Sequence, residues 1–478
     1  MLFNSIDFAI FLPIVFVLYW LVANKNLKFQ NLLLLLSSYF FYTWWDWRFL
    51  SLIVFSSTID YIIGLRLSNT TNESKRKFLL LTSIFINIGF LGFFKYFNFF
   101  SESFAQAFTL LGQPFEASRL NIILPVGISF YTFQTLSYSI DVYKRKMAPT
   151  KDIIAFFSFV SFFPQLVAGP IERATNLLPQ FYKKRNFDYL KAVDGLKQIL
   201  WGLFKKVVIA DNCAIIVNDI FANYASYSGS TLILGAIFFA FQIYGDFSGY
   251  SDIAIGTSRL FGFNLMQNFA FPYFSRDIAE FWRRWHISLS TWFRDYLYIP
   301  LGGSRGSTNK KIRNIFIIFI VSGFWHGANW TFIIWGALNA LYFLPLFLLK
   351  RNRTHLDVAA EGKVLPSIRE LLNILLTFSL TVFAWIFFRA ENLGHAINYI
   401  SKIFSKSLFL SPEIRPKKII LLIVVFLFLE WLGREGKYGI ENLFISSKRS
   451  LRWIIYMILI ILILYYAGGE QPFLYFQF

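Results

Sequence analysis

The chain has 478 residues, of which 56% are hydrophobic and 21% aromatic, and its formal net charge is +19. A soluble domain of this length needs far less apolar surface, so the composition predicts a polytopic membrane protein. The basic residues are scattered between apolar stretches, which argues against nucleic-acid binding and indicates cytoplasmic loops facing anionic lipid. Cys213 is the single cysteine, so an intramolecular disulfide framework is excluded.

The first apolar stretch, near 6–22, is followed by Lys25 and Lys28 and by no obvious cleavage site. It predicts a retained span with its N-terminus outside. The segment 152–170 predicts a re-entrant hairpin broken at Pro164 and at Gly169-Pro170. The other candidate spans lie near 30–45, 48–67, 78–100, 120–140, 195–220, 229–246, 312–328, 330–350, 370–389, 417–433 and 453–468.

These segments predict one all-α domain over 1–478 with about eleven to twelve transmembrane helices. Basic loops alternate with less basic ones along the chain, which places both termini on the extracytoplasmic side. The weakest hydrophobicity lies at 351–368 and 391–416, which we interpret as connecting loops or surface helices.

Two carboxylates, Asp246 and Asp252, lie close to an apolar span beside Gly245 and Gly249. The glycines are expected to loosen the helix, and carboxylates at membrane depth usually face a cavity or a partner. One interpretation is a proton or ion path. The interpretation we favour is that one carboxylate pairs with an arginine of a later basic segment and fixes the cytoplasmic floor.

That basic segment, 276–313, contains eight Lys and Arg against three Asp and Glu, interleaved with aromatic residues. On a helical wheel Trp282 and Trp285 share the apolar face, and His286 lies at its edge. Arg283 and Arg284 fall on the opposite side and are the expected partners of Asp246 or Asp252. The pattern predicts an amphipathic helix at the cytoplasmic interface, whose basic side can also receive a phosphate-bearing donor such as coenzyme A.

His326 lies in the apolar segment SGFWHGANW, where an ionisable ring is costly unless it is hydrogen-bonded or solvated. Gly323 and Gly327 let backbones approach or open a cavity, and Asn329 offers a hydrogen-bond partner. Two interpretations remain open: a structural histidine satisfied by a neighbouring helix, and an intramembrane general base. Neither a phosphate-binding glycine loop nor a nucleophilic-serine elbow is present, and His286 and His326 lack the spacing of metal ligands.

The motifs FWRRWHISLSTWFRDYLYIPLGG and GFWHGANWTFIIWG resemble the two central motifs of the membrane-bound O-acyltransferase superfamily. The segments LPVGISFYTFQTLSY and FFPQLVAGPIER resemble its bacterial cell-envelope branch, which includes the membrane subunits of alginate O-acetylation. The likeness runs over nearly the whole chain. It implies a ring of tilted helices around a thinned centre, with funnels from both faces that meet at a narrow tunnel.

The resemblance also implies roles. His326 matches the catalytic histidine and is expected to act as the general base, whereas His286 would guide or polarise the thioester at the inner mouth. Arg283, Arg284, Trp282 and Trp285 would bind the donor, expected to be acetyl-CoA, without a tightly bound cofactor. The expected acceptor is an extracytoplasmic polysaccharide, the expected partner is an extracytoplasmic acetyltransferase of the SGNH type, and the expected location is the bacterial inner membrane.

The aromatic tail 469–478 leaves two interpretations open. It is either an interfacial anchor or a segment that folds back into the outer funnel. In the second case Tyr475 would accept the acetyl group near His326 as a transient aryl ester, a role suggested by similar tails in related systems. Two rival functions also remain: a proton-coupled transporter that uses Asp246, Asp252 and His326, and a scaffold that docks an outer enzyme.

Overall fold

The computed structural model describes residues 1–113, 117–167, 169–443, 448–468, 471 and 473–474. Across these ranges the regular structure is helical and contains no strand, so the predicted all-α class is confirmed. The chain divides into two compact units, Met1–Ala192 with Thr257–Met266, and Val193–Gly256 with Gln267–Phe478. The expectation of one domain over the whole chain stays a prediction.

The helices that begin in the first unit are α1 (Ile6–Val17), α2 (Leu27–Thr43), α3 (Arg48–Asn69), α4 (Glu73–Leu91), α5 (Phe97–Leu110), α6 (Ile128–Tyr143), α7 (Ile153–Ser161), α8 (Phe163–Leu166), α9 (Ala174–Leu177) and α10 (Tyr189–Leu203). A π-helical turn at Gly92–Tyr96 joins α4 to α5, so that together they form one helical run of 38 residues.

A buried carboxylate organises the core of this unit. Asp60 of α3 accepts hydrogen bonds from Ser83 and Asn87 of α4 and from Ser139 of α6. Because a buried charge is costly without such donors, the polar side chains hold the three helices in one register.

The predicted break in the segment 152–170 falls at a different residue. Helix α7 ends at Ser161, Phe162 leaves helical geometry with ψ 106, and α8 begins at Phe163. Pro164 therefore occupies the first turn of α8, where a missing backbone N–H costs nothing. The proline starts a short helix rather than ending one.

The helices that begin in the second unit are α11 (Asp211–Ala222), α12 (Gly229–Leu260), α13 (Ile278–Arg284), α14 (Ile287–Phe293), α15 (Thr308–His326), α16 (Trp330–Leu348), α17 (Ile368–Arg389), α18 (Leu393–Ile403), α19 (Lys417–Gly433) and α20 (Arg449–Tyr466). A π-helical segment, Phe204–Ala210, joins α10 to α11.

Within the described residues, seven helical segments are long and apolar enough to cross a membrane: Ile6–Lys25, Arg48–Asn69, Glu73–Leu110, Gly229–Leu260, Trp330–Leu348, Ile368–Arg389 and Arg449–Tyr466. This is fewer than the predicted eleven to twelve. The difference arises largely because α2, α6 and α19 have only 16 or 17 residues. A helix of 16 residues is about 24 Å long, shorter than a typical hydrocarbon core of about 30 Å.

Candidate active site

The basic segment does not form the continuous amphipathic helix that the sequence predicts. It is split into α13 and α14 by Trp285 and His286, and His286 adopts a left-handed backbone conformation with φ 45. A non-glycine residue in that region is strained, and such strain concentrates at functional sites because the surrounding structure must enforce it. The helical-wheel prediction is therefore wrong at the position that carries the histidine.

Asn268 enforces this break. Its backbone carbonyl accepts the Ile287 N–H at 2.9 Å, and its side-chain Oδ1 accepts the N–H and the hydroxyl of Ser288 at 3.2 and 2.8 Å. Its Nδ2 donates to the hydroxyl of Ser251 at 3.0 Å. The Ser288 N–H can only donate, and its bond to Oδ1 therefore fixes the orientation of the amide. Asn268 was not predicted as a site residue, because no sequence motif distinguishes it from other loop asparagines.

The same amide defines the protonation of His286. Nδ1 of His286 lies 3.2 Å from Oδ1 of Asn268, so the acceptor oxygen assigns the proton to Nδ1 and leaves a lone pair on Nε2. Nε2 is buried and has no hydrogen-bond partner among the described residues. Burial lowers the pKa of His286, so the ring is neutral at physiological pH.

The two predicted catalytic histidines lie together. His326 is the last residue of α15, and its ring centroid is 6.5 Å from that of His286. Trp325 contacts both rings, at 5.9 Å from His286 and 4.9 Å from His326. The aromatic pocket of His326 is completed by Trp335 and Phe388, each with its ring centroid 5.2 Å away. The side chains are almost fully buried, as water exclusion at a reactive centre requires.

Close packing of α15 against α16 positions His326. A Cβ atom at Gly323 would overlap the backbone carbonyl of Phe332, and one at Gly336 would overlap that of Phe319. The two glycines therefore allow a backbone approach that no larger residue permits. Asn329 is not the partner of His326 that the sequence suggested. Its Oδ1 caps α16 through the Thr331 N–H at 3.0 Å, and its Nδ2 donates to the Glu391 carbonyl at 2.7 Å.

A cavity of about 560 Å³ lies between residues of α13, α14, α15 and α16, and Trp282 is part of its lining. We call it the donor cavity. Its apolar wall is formed by Trp282, Ile315, Ile318, Phe319, Phe343 and Phe347. Its basic rim is formed by Arg283, Arg294 and Arg353. The ring of Trp282 lies 5.6 Å from that of Trp335, which in turn contacts His326. Two indoles thus separate the cavity from His326.

Two of the predicted donor-binding arginines have different environments. Arg283 lines the donor cavity while its guanidinium donates to the carbonyls of Asn352 and His355 at 2.9 and 2.6 Å. Arg284 instead pairs with Glu280 at 2.9 Å and donates to the carbonyl of Asp357 at 2.7 Å. The structure places Arg284 in a structural network and does not include it in the cavity lining.

The predicted pairing of Asp246 or Asp252 with Arg283 or Arg284 is wrong. Asp246 forms an ion pair with Lys206 at 2.6 Å, and Asp252 forms one with Lys205 at 2.6 Å. Both lysines belong to the π-helical segment Phe204–Ala210.

Gly245 and Gly249 make these pairs possible. They do not loosen α12, which is continuous from Gly229 to Leu260. A Cβ atom at Gly245 would lie 2.9 Å from the Lys205 carbonyl oxygen, and one at Gly249 would lie 3.1 Å from the Lys206 nitrogen. The glycines therefore bring α12 against the π-helical segment.

Two described residues of the C-terminal tail, Phe473 and Leu474, are buried inside the second unit. Phe473 is 0% exposed and Leu474 is 2% exposed. The ring of Phe473 lies 4.3 Å from that of Tyr250 and 6.1 Å from that of Phe247, whose ring is 4.6 Å from His286. This burial favours a tail that folds back toward the histidine pair over an anchor in the lipid interface. Tyr475 lies outside the described residues.

Comparison with known proteins identifies the family of the chain. Residues 146–384 match the family described as MBOAT, the membrane-bound O-acyltransferases. The chain is 42% identical over 409 residues to the probable alginate O-acetylase AlgI of Pseudomonas aeruginosa, covering 85% of this chain and 75% of that protein. The match to the probable alginate O-acetylase AlgI of Pseudomonas putida has 37% identity over 506 residues and covers 100% of both chains. The peptidoglycan O-acetyltransferase of Helicobacter pylori is 38% identical over 429 residues, covering 84% and 79%.

The chain belongs to the membrane-bound O-acyltransferase family. The predicted family, the enzyme class of O-acetyltransferase and the multi-pass membrane character are thereby confirmed. Enzymes of this family use acyl donors rather than tightly bound cofactors.

Proposed function

We propose that this protein carries acetyl groups from cytoplasmic acetyl-CoA across the bacterial inner membrane for the O-acetylation of an exopolysaccharide or cell-envelope polymer such as alginate. The observation that carries the proposal is the buried pair of His286 and His326, whose rings lie 6.5 Å apart. Ring contacts through Trp335 and Trp282 connect this pair to an apolar cavity with a basic rim. The relatives named as alginate O-acetylase and peptidoglycan O-acetyltransferase support the choice of polymer.

Because a thioester is already an activated acyl donor, acetyl transfer to a hydroxyl requires a general base but no further input of free energy. In the proposed step His326 takes the proton of an attacking hydroxyl, and the hydroxyl oxygen forms a bond to the acetyl carbonyl carbon. The carbon–sulfur bond then breaks, and the leaving thiolate takes up the proton as coenzyme A. General-base catalysis contributes about 10²–10⁴-fold, so positioning in a water-excluded pocket has to supply much of the remainder.

The geometry of His286 supports a different role from polarisation of the thioester. Polarising a carbonyl requires a donor, but Nδ1–H faces Asn268 and Nε2 carries a lone pair. His286 is therefore suited to accept a hydrogen bond, either from an amide N–H of the pantetheine arm or from the attacking hydroxyl. Its strained backbone holds Nε2 in that position before substrate arrives.

The donor cavity matches the chemistry of acetyl-CoA. The pantetheine arm is long and largely apolar, which fits the walls formed by α15 and α16, and the phosphates carry negative charge, which fits the basic rim. Within the described residues no carboxylate pairs with Arg353, so that guanidinium is available for a phosphate. Arg283 is held by two backbone carbonyls and retains donors that can face the cavity.

On the outer side, we propose that Tyr475 is the first acceptor. Its hydroxyl would attack the acetyl thioester with His326 as base, and a transient aryl ester would form. An aryl ester is more reactive than an alkyl ester, so an extracytoplasmic partner of the SGNH type can pass the acetyl group to a polysaccharide hydroxyl. The support is the burial of Phe473 and Leu474 and the contact of the Phe473 ring with Phe247, whose own ring lies 4.6 Å from that of His286.

The test is intact-protein mass spectrometry of the purified protein incubated with acetyl-CoA, with peptide mapping of the C-terminus. We expect a mass increase of one acetyl group, located on Tyr475, that is absent in His326→Ala. Consumption of acetyl-CoA without this adduct, once the outer partner is added, would keep the acetyltransferase and reject the tyrosine relay. Neither adduct nor consumption with acetyl-CoA would overturn the proposal in favour of transport or scaffolding.

A further inference from the structure

We propose that Lys206 and Asp246 form a clamp that positions the C-terminal tail by binding its main chain. The ammonium group of Lys206 donates to the carbonyl of Gln471 at 3.2 Å, and the carboxylate of Asp246 accepts the N–H of Leu474 at 2.8 Å. The consequence for acetyl transfer rests on the proposed function, whereas the clamp itself does not.

The clamp is a buried and preorganised group. Lys206 is 1% exposed and Asp246 is 3% exposed, and their side chains are 2.6 Å apart. Lys206 also pairs with Asp211 at 2.8 Å, so its three donors face Asp246, Asp211 and Gln471. A buried ion pair is weak evidence of stability, because desolvation offsets the Coulomb attraction. The pair of Lys206 and Asp246 has a second role, because Lys206 also donates to the tail and Asp246 also accepts from it.

The polarity of the clamp fixes the register of the tail. The cation binds a carbonyl at residue 471, and the anion binds an N–H at residue 474. These are main-chain groups, so the clamp is insensitive to the side chains at those two positions and sensitive to their spacing. Insertion or deletion of one residue between them would move every later residue relative to the clamp.

The clamp is also close to the reaction centre. Asp246 is followed directly in α12 by Phe247, whose ring contacts Phe473 on the tail and the imidazole of His286. Tyr475 is bonded directly to clamped Leu474. Fixing Leu474 therefore restricts the positions open to the residue bonded to it, and transfer to a tyrosine hydroxyl needs such positioning.

The chain offers a matched control. Lys205 and Asp252 form an ion pair of the same length, 2.6 Å, between the same two elements. Both side chains are buried, and Asp252 is held additionally by Gln198 at 2.7 Å. Within the described part of the chain, neither of these residues contacts the tail. A variant of this pair removes one cation and one anion, as the clamp variant does, and leaves the clamp intact.

The experiment compares Lys206→Met/Asp246→Leu with Lys205→Met/Asp252→Leu in the full-length protein in nanodiscs. Removing both charges of the Lys206–Asp246 pair leaves buried Asp211 without its lysine, so thermal unfolding first checks that each variant is folded. The readout is the rate at which carboxypeptidase removes the C-terminal residues. Loss of hydrogen bonds to charged groups should accelerate cleavage by roughly tenfold or more in the clamp variant and leave the control at the wild-type rate. Equal rates in folded wild type and clamp variant would overturn the clamp.

Acetylation of Tyr475 by acetyl-CoA is measured on the same samples. Faster cleavage together with reduced acetylation supports both the clamp and the relay. Faster cleavage with unchanged acetyl transfer supports the clamp and rejects its role in the relay. An insertion of one glycine between Gln471 and Leu474 provides a variant with both charges present, and it should reduce Tyr475 acetylation as strongly as loss of the clamp.

Discussion

The side-chain oxygen of Asn268 lies 3.2 Å from Nδ1 of His286 and so determines which nitrogen of the imidazole is available for chemistry. The same oxygen accepts two hydrogen bonds from Ser288, and the Asn268 carbonyl accepts one from Ile287. One side chain and its backbone therefore hold the strained loop, the orientation of the ring and its tautomer. Each of these properties is expected to depend on Asn268.

Replacing Asn268 by Leu should impair both folding and catalysis. The change removes the oxygen that accepts from the Ser288 N–H, the Ser288 hydroxyl and Nδ1–H of His286, and loss of an acceptor for a buried donor costs about 1–3 kcal/mol. We expect a lower thermal unfolding temperature and at least a tenfold lower rate of acetyl transfer from acetyl-CoA. A catalytic rate equal to that of the wild type in a folded Asn268→Leu protein would show that the tautomer of His286 does not matter.

The protonation of His286 can be observed directly. Because burial lowers its pKa, the neutral form persists below the ordinary histidine value. A histidine whose pKa is lower in the folded state than in the unfolded state takes up its proton more readily when the protein is unfolded. His286 therefore contributes to the free energy of unfolding at higher pH, and this contribution is lost as pH falls below about 6.5, the unfolded-state pKa. In ¹⁵N-histidine NMR we expect the His286 signal, assigned with His286→Gln, to show the Nδ1–H tautomer without titrating between about pH 5.5 and 8.

Replacing His326 by Ala should reduce acetyl transfer by about 10²–10⁴-fold, because the general base is removed. The amount of protein in the membrane should not change. His395→Ala is the matched control, since His395 lies on α18 with its ring stacked on Tyr224 at 4.8 Å, away from the histidine pair. A silent His326→Ala substitution would support the scaffold. Solute flux without acetyl transfer would support the transporter, although each proposed carboxylate of its path is already paired with a lysine.

The approach of α15 to α16 can be tested through Gly323. An added methyl group would overlap the Phe332 carbonyl, so Gly323→Ala should destabilise the protein by about 1–3 kcal/mol and displace His326. Gly89→Ala is the control, because a Cβ there meets no atom within 4 Å and alanine is the better helix former. We expect thermal unfolding and activity to fall in the first variant and to be preserved in the second.

Much of the membrane architecture could be predicted from local sequence. The apolar runs near 330–350, 370–389 and 417–433 coincide closely with α16, α17 and α19, because a long uninterrupted run of apolar residues is helical in a membrane. The motifs around His286 and His326 also indicated the candidate site. Each histidine interrupts an aromatic segment, where an ionisable ring is energetically costly and therefore suggests a function.

The rest depends on contacts between residues far apart in the chain. The break at His286 requires Asn268, eighteen positions earlier, and a helical wheel contains no such information. The partners of Asp246 and Asp252 are lysines of the Phe204–Ala210 segment, selected because glycines bring that segment against α12. The sequence does not distinguish these lysines from Arg283 and Arg284, which lie about as far away along the chain, so the predicted arginine partners were wrong.

The basic rim of the donor cavity can be tested through Arg353. Reversing the charge of Arg353, which lines the basic rim, should raise the KM for acetyl-CoA several-fold, because the variant repels the phosphates that the rim attracts. The effect on kcat should be smaller, since Arg353 does not contact either histidine. The increase in KM should shrink as ionic strength rises, because salt screens exposed charges. Arg351→Glu is the control: it makes the same charge change two residues earlier, on an exposed side chain outside the cavity lining. Equal KM changes in the two variants would mean that general surface charge, and not this cavity, attracts the donor.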